Sequence, residues 1–176
     1  MVKKTYEEAF LLAMQAHAGQ FRKQSKKPYF IHPVRVSEYL NKKFYNYKEI
    51  EKLRITALLH DTLEDTWVTP SVIEEKFGLE IKQLVVQLSK DKSKPKEHAE
   101  KEYREKLSKA KDEAKVIKLA DIYDNIEYGF KGKKKIRFLE KSKKTLQIIK
   151  VKDENLKKVF QEEKQKLLKK INEELS

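Results

Sequence analysis

His60 and Asp61 stand side by side in "ALLHDTLEDT", and Glu64 and Asp65 follow within the same stretch. A second histidine, His32, precedes Pro33 in "PYFIHP", and another carboxylate, Asp121, sits in the apolar run "VIKLADIYDNI". Together they offer two imidazoles and two carboxylates. Such a mixed nitrogen and oxygen set suits Mn, Fe, Co, Ni or Zn better than Mg or Ca. Four ligands also leave open positions for water and substrate. Singly, each piece has a plain structural explanation. A His-Asp dipeptide is usually without consequence, a histidine before proline is commonly a turn residue, and an Asp in an apolar helix is often a cap or an ion-pair partner. Burying all of them is costly unless they are paired or share a metal. One divalent ion held by His32, His60, Asp61 and Asp121 removes that cost for the whole set.

Helical spacing adds a second layer. Adjacent residues on a helix lie about 100° apart, so His60 and Asp61 can converge on an ion beside one helix. Glu64 is four residues after His60, Asp65 four after Asp61, and Asn125 four after Asp121. Residues at that spacing share a face. A metal lowers the pKa of its water and a neighbouring carboxylate takes the proton, which makes Glu64 and Asp65 the candidate acid–base pair.

The elements that must position these groups read as helices. Only four glycines and four prolines interrupt a chain rich in Leu, Ile, Lys and Glu, and no sustained alternation or hairpin signal appears. Thr5 with Glu8 forms a capping box that opens a helix to about Ala18. A second helix follows Pro33, and a third covers about Glu49 to Glu64. Thr69 and Pro70 open another, with Gly78 as its stop, and a further helix carries Ile81, Leu84, Val85 and Leu88. The charged segment "SKDKSKPKEHAEKEYREKLSKAKDEAK" reads as a mobile loop or a partly solvated helix. A buried helix then runs through Asp121 to near Gly129. Helices over about Lys134–Lys150 and Asp153–Leu175 follow, the last with Leu156, Phe160, Leu167 and Ile171 as a core-facing stripe. The expectation is an all-α, single-domain bundle over residues 1–176.

The 176 residues suffice for one buried core without disulfides. With no cysteine, zinc-thiolate sites and thiol nucleophiles are excluded. "MVKKTYEEAF" has no apolar signal core, and no apolar run approaches the roughly 20 residues that span a bilayer. A soluble, cytoplasmic protein without membrane contact is expected. Lys and Arg total 41 against 28 Asp and Glu, a net charge of +13. That balance concentrates anions such as nucleotides or RNA, although most of the lysines are read as solvating helix faces.

"HDTLEDT", "PYFIHP" and "KLADIYDNI" resemble the signatures of HD-domain hydrolases of the Rel/Spo group, most closely the stand-alone small alarmone hydrolases. The similarity runs from about Ala9 to Phe130, and the helices over 131–176 follow it as pattern only. The resemblance implies an HD-type helical bundle that removes the 3′-pyrophosphate from guanosine tetra- and pentaphosphate, with one divalent metal, typically Mn²⁺. It implies His32, His60, Asp61 and Asp121 as metal ligands and Glu64 and Asp65 as the pair that handles the attacking water. It also implies Arg22, Lys23, Asn125, Lys92 and Lys96 as substrate-binding residues. Three positions depart from the group's pattern: Lys27 replaces a glycine before "PY", Ile122 a basic residue, and Asp124 a histidine or tyrosine. All three are expected to border the nucleotide pocket without touching the metal set. No synthetase domain is expected. The same chemistry on 3′-pyrophosphorylated tRNA, as an antitoxin to a toxin-type synthetase, or on the 2′-phosphate of NADPH is an alternative. A non-catalytic module binding alarmone or RNA is a rival of another class. Oligomeric state is left open.

Overall fold

Thr5 caps the first helix as its sequence signature requires: its hydroxyl accepts from the Glu8 amide at 3.2 Å, and the Glu8 carboxylate accepts from the Thr5 amide at 3.1 Å. The helix, α1, spans Tyr6–Ala16. The computed structural model describes residues 5–22 and 25–176. The further helices are α2 (Ile31–Lys43), α3 (Ile50–Leu59), α4 (Thr62–Asp65), α5 (Pro70–Leu88), α6 (Lys96–Lys109), α7 (Asp112–Tyr128), α8 (Gly132–Ile148) and α9 (Glu154–Leu175). Among the described residues no strand forms beyond an isolated bridge between Phe21 and Pro28. The all-α expectation holds. No helix of the described residues is long and apolar enough to cross a membrane.

Two local expectations are revised, and one open alternative falls to its helical reading. The helix expected over Glu49–Glu64 ends at Leu59, and α4 restarts at Thr62. Polar side chains cause the break: His60 Nδ1 bonds the Ala57 carbonyl at 2.7 Å and the Thr62 hydroxyl bonds the Leu59 carbonyl at 2.7 Å, competing with the helical ladder. Second, α2 begins before Pro33, so His32 lies inside its first turn; a proline is tolerated there because that amide has no helical partner. Third, the charged segment is ordered from Lys96 onward as α6, which buries Ala99, Tyr103 and Leu107 four residues apart on one face. Gly78 separates two helical runs within α5, at φ 79° and ψ 174°, a left-handed conformation that glycine adopts without a Cβ penalty.

Two apolar clusters share α3. Leu58, Leu59 and Ile55 pack with α1 and α5, around Phe77 and Ile73. Leu53 and Ala57 pack with α2, α7, α8 and α9, around Leu40, Ile117, Leu146 and Phe160. Each fully buried Leu or Phe contributes about 1.5–3 kcal/mol relative to exposure. The central helix α7 is buried on nearly every side, from Ala114 through Ile126. Polar groups on α3, α4 and α7 therefore meet only where the sequence places them facing one another.

Candidate metal centre and its cavity

The candidate ligands come from three separate places in the bundle: His32 from the first turn of α2, His60 and Asp61 from the α3–α4 break, and Asp121 from the middle of α7. His32 Nε2 stands 3.2 Å from Asp121 Oδ1 and 3.5 Å from Asp61 Oδ2. His60 Nε2 stands 3.3 Å from Asp61 Oδ2 and 3.8 Å from Asp121 Oδ1. Ligand atoms of His32, His60 and Asp121 all lie within 4.8 Å of one another.

Both imidazoles are turned the same way. Their Nδ1 atoms face outward, to Asp124 Oδ2 at 2.6 Å for His32 and to the Ala57 carbonyl for His60. These acceptors require a proton on Nδ1, so in the neutral ring that a metal binds the Nε2 lone pair faces inward. Both Nε2 atoms are buried and make no hydrogen bond among the described residues. Buried polar atoms normally have a partner, and two imidazole nitrogens opposed to two carboxylates fit a divalent cation. The charges agree. Burial alone lowers the His32 pKa, but the surrounding carboxylates of Asp121, Asp124 and Asp61 outweigh it and push the imidazole up to about 10. Burial works against the Asp121 charge, yet Lys118 and the two histidines hold its carboxyl well below the usual range. Asp61 is likewise held low by His60 and His32 against its burial. The site is built to stabilise positive charge.

Several groups hold the ligands in place. The Tyr29 hydroxyl donates to Asp61 Oδ2 at 2.5 Å. Lys118 Nζ and Asn125 Nδ2 each donate to an oxygen of Asp121 at 2.6 Å. Buried His17 bonds Gln20 at 2.9 Å, and Gln20 donates to the Asp65 carbonyl at 2.7 Å, which ties the end of α1 to α4. Sequence reasoning assigned no role to Tyr29, Lys118 or Arg35. Tyr29 lay within the quoted "PYFIHP", and Lys118 is one helical turn before Asp121, so both carried a positional signal.

A cavity of about 680 Å³ opens beside the ligands, a size common for small-molecule sites. Glu64 lines it. Its Oε1 accepts from the Lys90 amide at 2.9 Å, and burial raises its pKa, with that amide opposing. Asp65 and Lys92 do not line the cavity; they pair with each other at its outer edge. Of the two acids that helical spacing sets beside the ligands, Glu64 is thus placed against the cavity and Asp65 against Lys92. Arg22, Asn125 and Lys96 do line the cavity. The Arg22 guanidinium donates to Asp124 Oδ2 at 3.1 Å and to Asn125 Oδ1 at 3.2 Å, while its Nε and Nη1 are buried without a partner. Lys23 lies outside the described residues.

The rest of the cavity wall comes from beyond the recognisable motifs. Arg104 of α6 and Lys134, Arg137 and Lys141 of α8 face it, together with the Phe130 and Phe138 rings. Of the three departures from the group's pattern, Ile122 lines the cavity, whereas Lys27 is exposed and does not. Asp124 does touch the metal set, through His32, so the expectation for it is corrected.

Residues 9–150 match the HD domain family model. The chain is 36% identical over 124 residues to the guanosine-3′,5′-bis(diphosphate) 3′-pyrophosphohydrolase of Aquifex aeolicus, covering 69% of this chain and 17% of that protein. It is 35% identical over 120 residues to the mouse guanosine-3′,5′-bis(diphosphate) 3′-pyrophosphohydrolase MESH1, covering 68% of this chain and 66% of that one. The chain thus spans a small part of the first relative and just under two thirds of the second. Among solved structures, a metazoan SpoT orthologue described as hydrolysing ppGpp superposes with a TM-score of 0.78 at 28% identity, over 96% of this chain and 98% of the other. With its ligand set assembled between α2, the α3–α4 break and α7, and with most of its length matched, the chain belongs to the HD domain family.

Proposed function

We propose that the protein hydrolyses the 3′-pyrophosphate of guanosine tetra- and pentaphosphate, using one divalent metal, Mn²⁺ by preference. The observation that carries this reading is the convergence of two inward-facing imidazole nitrogens and two carboxylates at the floor of a cation-lined cavity. The names of the relatives support the substrate. The cavity supports it too: basic side chains suit two diphosphate groups, and aromatic rings suit a base.

His32, His60, Asp61 and Asp121 would hold the cation. When bound, it supplies Lewis-acid polarisation of a phosphoryl oxygen and makes a water more acidic. Glu64 accepts the proton of the attacking water, because one of its oxygens is fixed by the Lys90 amide and burial raises its basicity. The water oxygen bonds to the phosphorus carried on ribose O3′, the P–O3′ bond breaks, O3′ takes up the proton that Glu64 accepted, and the phosphoryl product is pyrophosphate. Arg22, in the cavity wall, offers its guanidinium to the phosphates. Asp65 holds Lys92 at the cavity edge.

The test is pyrophosphate release from guanosine tetraphosphate with Mn²⁺ and with chelator, beside parallel reactions with NADPH and 3′-pyrophosphorylated tRNA. Metal-dependent release, fastest from guanosine tetraphosphate, is expected. No release with Mn²⁺ overturns the reading, and faster turnover of another substrate moves it to that substrate.

A further inference from the structure

Asp124 is almost wholly buried, with a side chain 2% exposed. Its Oδ2 accepts from His32 Nδ1 at 2.6 Å, from Arg22 Nη2 at 3.1 Å and from Arg35 Nη2 at 3.0 Å, and its Oδ1 accepts from Arg35 Nε at 2.5 Å. A carboxylate offers about four acceptor positions, and four donors reach this one, three of them on Oδ2. Two guanidinium groups offset the single buried charge, and Arg35 is itself seated over the Tyr128 ring at 4.4 Å. His60 differs, because a neutral backbone carbonyl holds its Nδ1. An anionic partner makes an imidazole a stronger donor to a metal and fixes its ring. The same Oδ2 also holds Arg22, a residue of the cavity wall.

We infer that Asp124 is a positioning residue: it fixes the His32 tautomer for metal binding and, through one shared oxygen, seats Arg22 for the substrate's phosphates. The inference rests on the metal reading proposed above. One carboxylate then links two sites that belong to different steps, metal loading and anion binding.

Mn²⁺ affinity, read by electron paramagnetic resonance on the full chain, tests it without turnover. Asp124→Asn keeps the shape and removes the charge. It is expected to weaken Mn²⁺ about tenfold or more, whereas Arg22→Gln leaves Mn²⁺ affinity as in the unsubstituted protein. In the hydrolysis assay, the KM increase caused by Arg22→Gln is expected to shrink in the Asp124→Asn background. In the diamagnetic Zn²⁺-loaded protein, imidazole ¹⁵N spectra are expected to show His32 protonated at Nδ1. That spectrum uses the unsubstituted chain and stands even if Asp124→Asn does not fold. Unchanged Mn²⁺ affinity in Asp124→Asn, or a His32 protonated at Nε2, overturns the inference alone. Failure of the unsubstituted protein to bind Mn²⁺ overturns the metal reading along with it.

Discussion

Replacing Glu64 with Gln separates chemistry from binding. Gln can keep its side-chain oxygen on the Lys90 amide, where Glu64 Oε1 sits at 2.9 Å, so the local shape survives. The substitution removes only the capacity to take a proton. A positioned general base contributes about 10²–10⁴-fold, so kcat should fall by that factor, roughly 3–5 kcal/mol in the barrier. Metal affinity should not change, because among the described residues Glu64 bonds the Lys90 amide and none of His32, His60, Asp61 or Asp121. Thermal stability should not fall either, since burial already disfavours the Glu64 charge. The pH profile supplies a signature. Glu64 must be ionised to act, and its pKa is raised from 4.5, so activity should disappear on acidification at a higher pH than a free glutamate would set. That acid limb should be missing from the residual activity of Glu64→Gln. Pyrophosphate release under saturating Mn²⁺ and substrate measures kcat, and paramagnetic titration measures the metal. Turnover within tenfold of the unsubstituted protein, with metal still bound, refutes the assigned role (a threshold well below the range expected for a lost base).

Tyr29→Phe removes the hydroxyl that donates to Asp61 at 2.5 Å and should weaken Mn²⁺ by about tenfold, measured by metal titration. Arg137→Gln removes a cavity-facing cation of α8; it should raise KM for guanosine tetraphosphate by about tenfold, one charge-assisted contact, while Mn²⁺ affinity stays unchanged. For the metal-free protein, the sign follows from two opposed groups. His32 is raised from 6.5 to about 10, so its contribution is complete below pH 6.5 and is lost as pH rises through about 10. Asp124 is lowered from 3.8 by its bonds to His32 and Arg35 against its burial, so its contribution is present above pH 3.8 and is lost on acidification. Melting temperature should therefore fall between pH 6.5 and 10, and Mn²⁺ should reduce that fall by replacing protons at the site; a flat profile without metal contradicts the charge assignment.

Much of the fold was legible because helix signals are local. The Thr5–Glu8 capping box, the Thr69–Pro70 start and the α9 stripe needed only short-range spacing, and each appears in the structure. The candidate metal set was legible for another reason: four costly polar groups in apolar surroundings have few joint explanations. What escaped the sequence depends on partners far along the chain. The α3–α4 break arises because side chains capture backbone carbonyls, and an uninterrupted periodic pattern hides such competition. Asp124 looked like a simple departure because Arg35 and His32, which satisfy it, lie about 90 positions earlier. The α8 cations looked like solvated lysines, since only the packing of α8 beside α6 and α7 turns one of its faces toward the cavity.

The charge pattern of the site explains why these parts belong together. Asp61, Asp121 and Glu64 stand at the floor, where a polyphosphate would be repelled. Arg22, Arg104 and the α8 cations stand around them, where it would be attracted. A basic chain alone would hold the substrate away from its acids, and the acids alone would exclude it. On the proposed function, a divalent cation at the floor would reverse the sign only there and let a phosphoryl group come within reach of Glu64. The cationic wall would then set how strongly the nucleotide binds, and the floor whether it reacts. On this arrangement, loss of metal should abolish turnover yet leave measurable substrate binding, while loss of wall charges should do the reverse at saturating substrate.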